Sequence, residues 1–241
     1  DNYTKFLKDE NFWGALRNTA FFTLITTPML VITALVLALL ANRVTKMKRS
    51  LRVIFYLPSV LSVSIASLIA KYTFTPYTGL INGTLHTLGL LPKSKELQWL
   101  QDPHLVWITI SVMTVWWTIG FSMLLYLSAL QDISSDLYEA ASIDGASSTQ
   151  HLFRIVLPLL KPTTWLVFLL QMIACFKVFG QIYMITGGGP ASSTRPLIQY
   201  IYENAFGKSN MGYASAMSYV LFGILLILSL AQQILQRKGE E

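Results

Sequence analysis

Charge is scarce in this chain. Of its 241 residues only 12% are Asp, Glu, Lys or Arg, about half the ~25% usual in globular domains. A soluble core wrapped in charged surface is excluded, and with 53% apolar residues the composition belongs in lipid. Histidine is limited to His86, His104 and His151, all outside the long apolar runs, and cysteine to Cys175. A single cysteine forbids an intrachain disulfide, and its place inside an apolar run reads as packing. There is no G-x-x-x-x-G-K-[ST] phosphate loop and no H-E-x-x-H pair. Gly120-Phe121-Ser122 faintly suggests a serine nucleophile, but no span holds a histidine to activate it. The chain has the makings of no enzyme.

What is present is five long stretches almost free of charge, at about 19–41, 53–72, 105–130, 163–185 and 211–235. Each reaches the roughly 20 residues a helix needs to cross a hydrocarbon core about 30 Å thick. Strands are not expected, because a barrel would show alternating segments of about 10 residues. The fold class is therefore all-α: a polytopic helical membrane protein, one transmembrane domain over 1–241. The stretch "NRVTKMKRSLR" carries Arg43, Lys46, Lys48, Arg49 and Arg52 without an acid, which marks it as cytoplasmic. Five spans then put the amino end outside and the carboxyl end inside, where Arg237 and Lys238 can snorkel to the inner headgroups. The net charge of +6 reads as topology and contact with the lipid bilayer, with no nucleic-acid signal.

Outside the spans, Tyr3, Phe6, Leu7, Trp13 and Leu16 lie at near-helical spacing among charges, as an interfacial helix would. The external segment after the second span is broken by proline and glycine around Leu80, Ile81, Leu85 and Leu88, which predicts a short surface helix. A second external loop opens with Gly187, Gly188, Gly189 and Pro190. It reads first as a flexible turn and second as a contact surface.

The polar passage at about 131–162, "YEAASIDGASSTQHLFRIVLP" at its centre, falls on the cytoplasmic side. Asp136 followed by Glu139 makes a D-x-x-E capping signal, Gly145 offers a left-handed stop, and Ser147 with Gln150 repeats the start signal. Pro158 and Pro162 end the second helix. Helix, glycine turn, helix results. Small residues at Ala140 and Ala141 let another surface approach closely, while Glu139 and Asp144 offer charge for partner selection.

Within the spans, Lys177 is the only charge deep in a run, at a cost of roughly 2.5–3.5 kcal/mol if left in lipid. Gln181 lies one turn further on, and Gln171 is the other strongly polar group of that helix. The set Lys177, Gln181, Gln171, Thr118 and Ser122 is the candidate lining of a solute path, with snorkelling of Lys177 as the plain alternative. Ser111, Thr114, Thr118 and Ser122 form one polar stripe and Ser64, Ser67 and Lys71 a shorter one; small hydroxyls at such spacing more often pack helices than bind ligands. Trp116, Trp117 and Tyr126 suit stacking on sugar faces or a membrane interface. A proton-coupled secondary transporter is the rival reading, but it normally uses an intramembrane carboxylate or histidine, and the spans contain none.

Glu139-Ala140-Ala141, three residues, Gly145, nine residues, Ile155, one residue, Leu157 and Pro158 resemble the EAA loop of permease subunits in binding-protein-dependent ABC importers. "DNYTKFLKDENFWGALRNTAFFT", "TGLIN" with "QWLQDPHLVW", "MITGGGPASSTRPLIQYIYENAF" and "MGYASAMSYVLF" are similar to the carbohydrate branch, the maltose-, lactose- and glycerol-phosphate-type permeases. The resemblance implies a bacterial inner-membrane subunit without catalysis, pairing with a second related permease to form part of the path for a sugar or oligosaccharide, with a polyol or glycerol-phosphate compound as the alternative solute. It implies two copies of an ATP-binding subunit beneath and an extracytoplasmic solute-binding protein above. No cofactor is bound by this chain; ATP and magnesium belong to the partner ATPase. Glu139, Ala140, Ala141, Asp144, Gly145 and Ala146 then dock on the ATPase, and Gly187 to Pro190 meet the binding protein. Such permeases usually begin inside with one more helix, so a sixth helix is expected in the native subunit.

Overall fold

The computed structural model describes residues 2–43 and 48–238. Lys46 lies outside the described residues, as do the side chains of Arg43, Lys48, Arg49, Arg237 and Lys238. All regular structure among the described residues is helical: α1 (Asn2–Leu7), α2 (Glu10–Arg43), α3 (Lys48–Val60), α4 (Val63–Thr73), α5 (Leu80–Thr87), α6 (Leu105–Gln131) and α7 (Ser135–Ile143). Then come α8 (Ser148–Gln150), α9 (Leu157–Leu159), α10 (Lys161–Phe176), α11 (Gly180–Ile185), α12 (Leu197–Tyr202) and α13 (Met211–Lys238). A π-helical stretch, His151–Val156, joins α8 to α9, and a second, Glu203–Gly207, comes directly after α12.

Three helices are long and apolar enough to cross a membrane unaided: Glu10–Asn42, Leu105–Gln131 and Met211–Gln236. The other two expected spans are broken. The run at 53–72 is not one rod, since α3 and α4 meet at an angle of 100°. Pro58 removes an amide from the end of α3, and Ser62 then caps α4, its Oγ accepting from the Ile65 N–H at 3.3 Å. The run at 163–185 is helical only to Phe176, and α11 starts afresh at Gly180. At its other end, α10 is turned 59° from the helical stretch Ser148–Leu159.

The expected interfacial helix is also shorter than its apolar spacing implied. Asp9 interrupts it by capping α2, its carboxylate accepting from the N–H groups of Asn11 and Phe12. Trp13 and Leu16 therefore belong to the first span, and only α1 lies apart from it. The short helix expected after the second span forms, as α5.

Two main cores, and a small cluster of Ala66, Ala70, Met113 and Ile185 beside them, hold the helices together. In the larger, Ala34, Ala38 and Ala41 of α2 are fully buried at helical spacing, so that α2 lies close to α6. Val106, Ile110, Met123, Tyr126, Leu127 and Leu130 of α6 fill this core together with Val156 and Leu160. The smaller core joins Phe6 of α1 and Phe12 of α2 to Met172, Phe176, Leu197, Tyr213 and Met217.

Candidate functional site: an exposed loop and two broken spans

The passage between α6 and α10 folds as helix, turn, helix. Ser134, rather than Asp136, is the cap of α7: its Oγ accepts from the Asp136 N–H at 3.2 Å, placing Asp136 in the first turn. The helix closes at Gly145, whose φ of +76° is a left-handed conformation that glycine adopts at little cost. There the Gly145 N–H donates to Ser142 O at 3.1 Å and the Ala146 N–H to Ala141 O at 2.9 Å, the paired bonds of a Schellman stop. Ser147 and Gln150 then form a reciprocal capping box: the Gln150 N–H donates to Ser147 Oγ, and the Ser147 N–H donates to Gln150 Oε1 at 2.7 Å.

No residue of α7 is buried. Glu139, Ala140, Asp144 and Gly145 are exposed, and Ala141 and Ala146 are half-buried. Sequence reasoning passed over Ile143, 86% exposed beside Asp144, and Phe153, 62% exposed. The available signal was the presence of large apolar side chains within the polar passage itself. The loop is anchored by Val156 and Leu160 in the main core and by Tyr138, whose ring lies 6.1 Å from that of His151. Between this anchor and the spans lies a cavity of about 270 Å³, bordered by Leu39, Leu130, Tyr138 and His151.

The two broken spans meet each other. An ideal Cβ on Gly180, where α11 begins, would lie 3.1 Å from Val63 Cγ2, where α4 begins. Counting from Lys48, α3 rises roughly 20 Å before its break, and α10 roughly 24 Å from Lys161; both fall short of a ~30 Å core. Interrupted helices at such depth need partners for the freed backbone groups. One is visible: Trp117 Nε1 donates to Leu61 O at 3.1 Å.

The candidate path residues divide. Lys177 is exposed at the end of α10 and Gln181 is half-buried on α11. The break between them means they do not share one continuous helix face, contrary to the reading from spacing. Gln171 and Ser122 close on each other, Gln171 Nε2 donating to Ser122 Oγ at 2.8 Å in the interior. Thr118, half-buried, donates to Thr114 O at 2.7 Å, and Ser111 pairs with Thr26 at 2.9 Å. The long stripe thus packs α6 against α2 and α10. Tyr126 is fully buried, so it offers no stacking face; Trp116 keeps 40% exposure. Cys175 lies in the main core, as packing requires.

The glycine loop is not loose. Gln199 Nε2 donates to Gly187 O and Thr194 Oγ1 to Gly189 O, at 2.9 and 2.6 Å. Gly188 is buried at φ +88°, with Pro190 half-buried beside it. An ideal Cβ on Gly188 would lie 2.9 Å from Gln199 Nε2. Asn18 Nδ2 of α2 ties the loop down, donating to Ser192 O and Arg195 O at 3.1 Å each. Nearby, Asp9 Oδ2 accepts from the hydroxyls of Tyr200 and Tyr213, at 2.6 Å each.

A bundle of apolar helices, two of them interrupted, with an exposed helix–turn–helix loop, is the architecture of a membrane transport subunit. Residues 18–239 match the family described as the binding-protein-dependent transport system inner membrane component, and the chain belongs to it. It is 37% identical over 224 residues to the sulfoquinovosyl glycerol transport system permease protein SmoG of Agrobacterium fabrum, covering 93% of this chain and 71% of that one. It is 34% identical to the lactose transport system permease protein LacF of Rhizobium radiobacter, covering 96% and 78%. The fold superposes with a TM-score of 0.89 on a chain of the bacterial alginate ABC transporter solved with alginate pentasaccharide-bound periplasmic protein. That match has 25% identity and covers 99% of this chain and 82% of that one. The protein is a membrane-embedded permease subunit of an ABC importer.

Proposed function

We propose that this subunit forms part of the translocation path for a sugar or oligosaccharide and transmits ATP-driven motion through the loop at 131–162. It pairs with a second, related permease; two copies of an ATP-binding subunit sit beneath, and an extracytoplasmic binding protein delivers solute above. The amino end of this chain lies outside and the carboxyl end in the cytoplasm of a bacterial inner membrane. SmoG, LacF and the alginate transporter, each named for a sugar-containing solute, support the substrate class.

The observation that carries the reading is α7 itself. A nine-residue helix with no buried residue and an 86%-exposed Ile143 presents surface that its own chain leaves uncovered. Glu139 and Asp144 flank that apolar residue, so a partner cleft that takes Ile143 and pairs with the acids would hold α7 firmly. Force on α7 reaches the spans through Val156 and Leu160, and the 59° corner before α10 turns movement of the loop into tilt of that span. ATP and magnesium are handled by the ATPase; this chain contributes the lever. The glycine loop, pinned by Gln199, Thr194 and Asn18, offers the binding protein a fixed surface.

Cross-linking tests the assignment. Cys175 is buried, so an Ile143→Cys variant carries one reactive thiol. With a short bifunctional reagent it should form one adduct with the ATPase subunit in assembled membranes, while Lys95→Cys in the external segment forms none. Adducts of Ile143→Cys only with lipid or the binding protein would contradict the reading.

A further inference from the structure

We propose that the solute carried by this subunit bears a negative charge, and that Lys71 and Lys177 serve as its counter-charges along the groove between α4 and α11. The inference rests on the importer reading above and names the class of solute within it.

The two helices lie side by side, with Val63 near Gly180 and Ser67, Leu68 and Lys71 near Met184. Between them is a cavity of about 280 Å³ lined by Ser64, Ile65, Ser67, Leu68, Lys71 and Met184. Ser64, Ser67 and Lys71 stand at i, i+3 and i+7, one face of α4. Their environment differs from that of the packing stripe on α6. There Ser111, Thr114, Thr118 and Ser122 all have hydrogen-bond partners within the chain. Ser67, 2% exposed, has an Oγ with no partner among the described residues. A buried hydroxyl left unpaired costs about 1–3 kcal/mol, which a hydroxylated ligand in the cavity relieves.

Charge points the same way. Lys71 and Lys177 are exposed on this chain, and neither makes an ion pair among the described residues. None of the apolar runs contains an Asp or Glu. The break at 177–179 sets Lys177 three residues before Gly180, which packs on Val63, while Lys71 lines the cavity beside Met184, with Ser64 and Ser67 between Val63 and Lys71 along α4. Lysines in or at the end of apolar runs that hold no acid need an anion from elsewhere. A sugar carrying a carboxylate, sulfonate or phosphate supplies both the charge and the hydroxyls.

The test uses the assembled permease–ATPase complex in phosphatidylcholine nanodiscs, with a galacturonate disaccharide and the matching galactose disaccharide as probes and saturation-transfer NMR as readout. The expected result is at least fivefold tighter binding of the acidic probe at low salt, reduced in 0.5 M KCl as screening requires. The preference should vanish in a Lys71→Met, Lys177→Met double variant and return with arginine at both positions. Equal binding of the two probes, or a preference that survives the methionines, overturns the proposal. If the lysines instead hold lipid phosphate, the methionine variants change only the amount of phosphatidylglycerol that co-purifies, which also overturns it. Stimulation of ATP hydrolysis by loaded binding protein, measured on the same preparations, separates the two claims. Intact stimulation without charge preference removes the anionic solute and leaves the importer; absent stimulation in wild type removes both.

Discussion

Trp117 Nε1 donates to Leu61 O at 3.1 Å, so the third span supplies the hydrogen bond that the break in the second span leaves open. Trp117→Phe keeps the ring and removes the donor. An unpaired carbonyl in a water-poor site costs about 1–3 kcal/mol, so the purified complex should melt at a lower temperature. An unchanged melting curve would show that this bond does not support the bend.

The same pair of helices predicts a sharper failure one turn away. An ideal Cβ on Gly120 would lie 2.5 Å from Phe55 O and 2.6 Å from Tyr56 Cα, backbone atoms that cannot turn aside. Gly120→Ala should therefore lower the yield of folded protein several-fold by size-exclusion chromatography. Gly83→Ala is the control, since its Cβ meets nothing within 4 Å. Equal yields would mean that α3 and α6 can separate at no cost.

Gly145 is constrained by conformation and not by space. Its φ is +76° and an added Cβ would meet nothing within 4 Å. A β-branched residue there costs about 1–2 kcal/mol or more, whereas asparagine tolerates the left-handed region. Gly145→Val should weaken co-purification of the ATPase while Gly145→Asn largely preserves it. Solute binding by the external receptor should be normal in both. Indistinguishable variants would show that the Schellman stop does not set the docking geometry.

Asp9 ties α2 to α12 and α13 through Tyr200 and Tyr213. Burial pushes its carboxyl pKa up, but hydrogen bonds from the two tyrosines and from the Asn11 and Phe12 amides outweigh that and hold it below the usual carboxylate value. Tyr200 is pushed up to about 12, by burial first and by its bond to Asp9 second. A depressed carboxyl stabilises fully above its unfolded pKa and loses that contribution as pH falls through the folded value. A raised phenol stabilises below its unfolded pKa and loses it as pH climbs toward about 12. Asp9→Ala should thus lower the melting temperature, with about 0.5–2 kcal/mol lost from the cap alone. The difference from wild type should be flat between about pH 5 and 9 and shrink below about pH 4. A difference that grows in acid would reverse the assigned sign.

Much of the loop was legible because its signals are local. Gly145 and the Ser147–Gln150 pair act within four residues, and the structure has both devices where spacing put them. Hydropathy located the apolar runs but not their continuity, since it averages over the residues that break a helix. Pro58 with Ser62, and Gly180 after Lys177, were the available marks of the two interruptions. Interior pairing was invisible in principle. That Gln171 meets Ser122, 49 residues away, depends on how α10 packs on α6, which no helical spacing encodes. Exposure of Ile143 was hidden for the same reason, because an apolar residue in a short helix is buried or bare according to what surrounds it.

The central claim is that the loop around Glu139 couples this subunit to its ATPase, and Glu139 and Asp132 provide the discriminating comparison. Both are exposed acids near the same end of the bundle, but only Glu139 lies on α7 beside the uncovered face. Exposed charge pairs contribute about 0–1 kcal/mol, while a charge desolvated at an interface costs several when its partner is lost. The measurement is ATP hydrolysis in reconstituted membranes with and without solute-loaded binding protein. Wild type and Asp132→Asn should both be stimulated, and Glu139→Lys should hydrolyse at one rate regardless of solute. Equal stimulation in wild type and Glu139→Lys would contradict the coupling role of this loop.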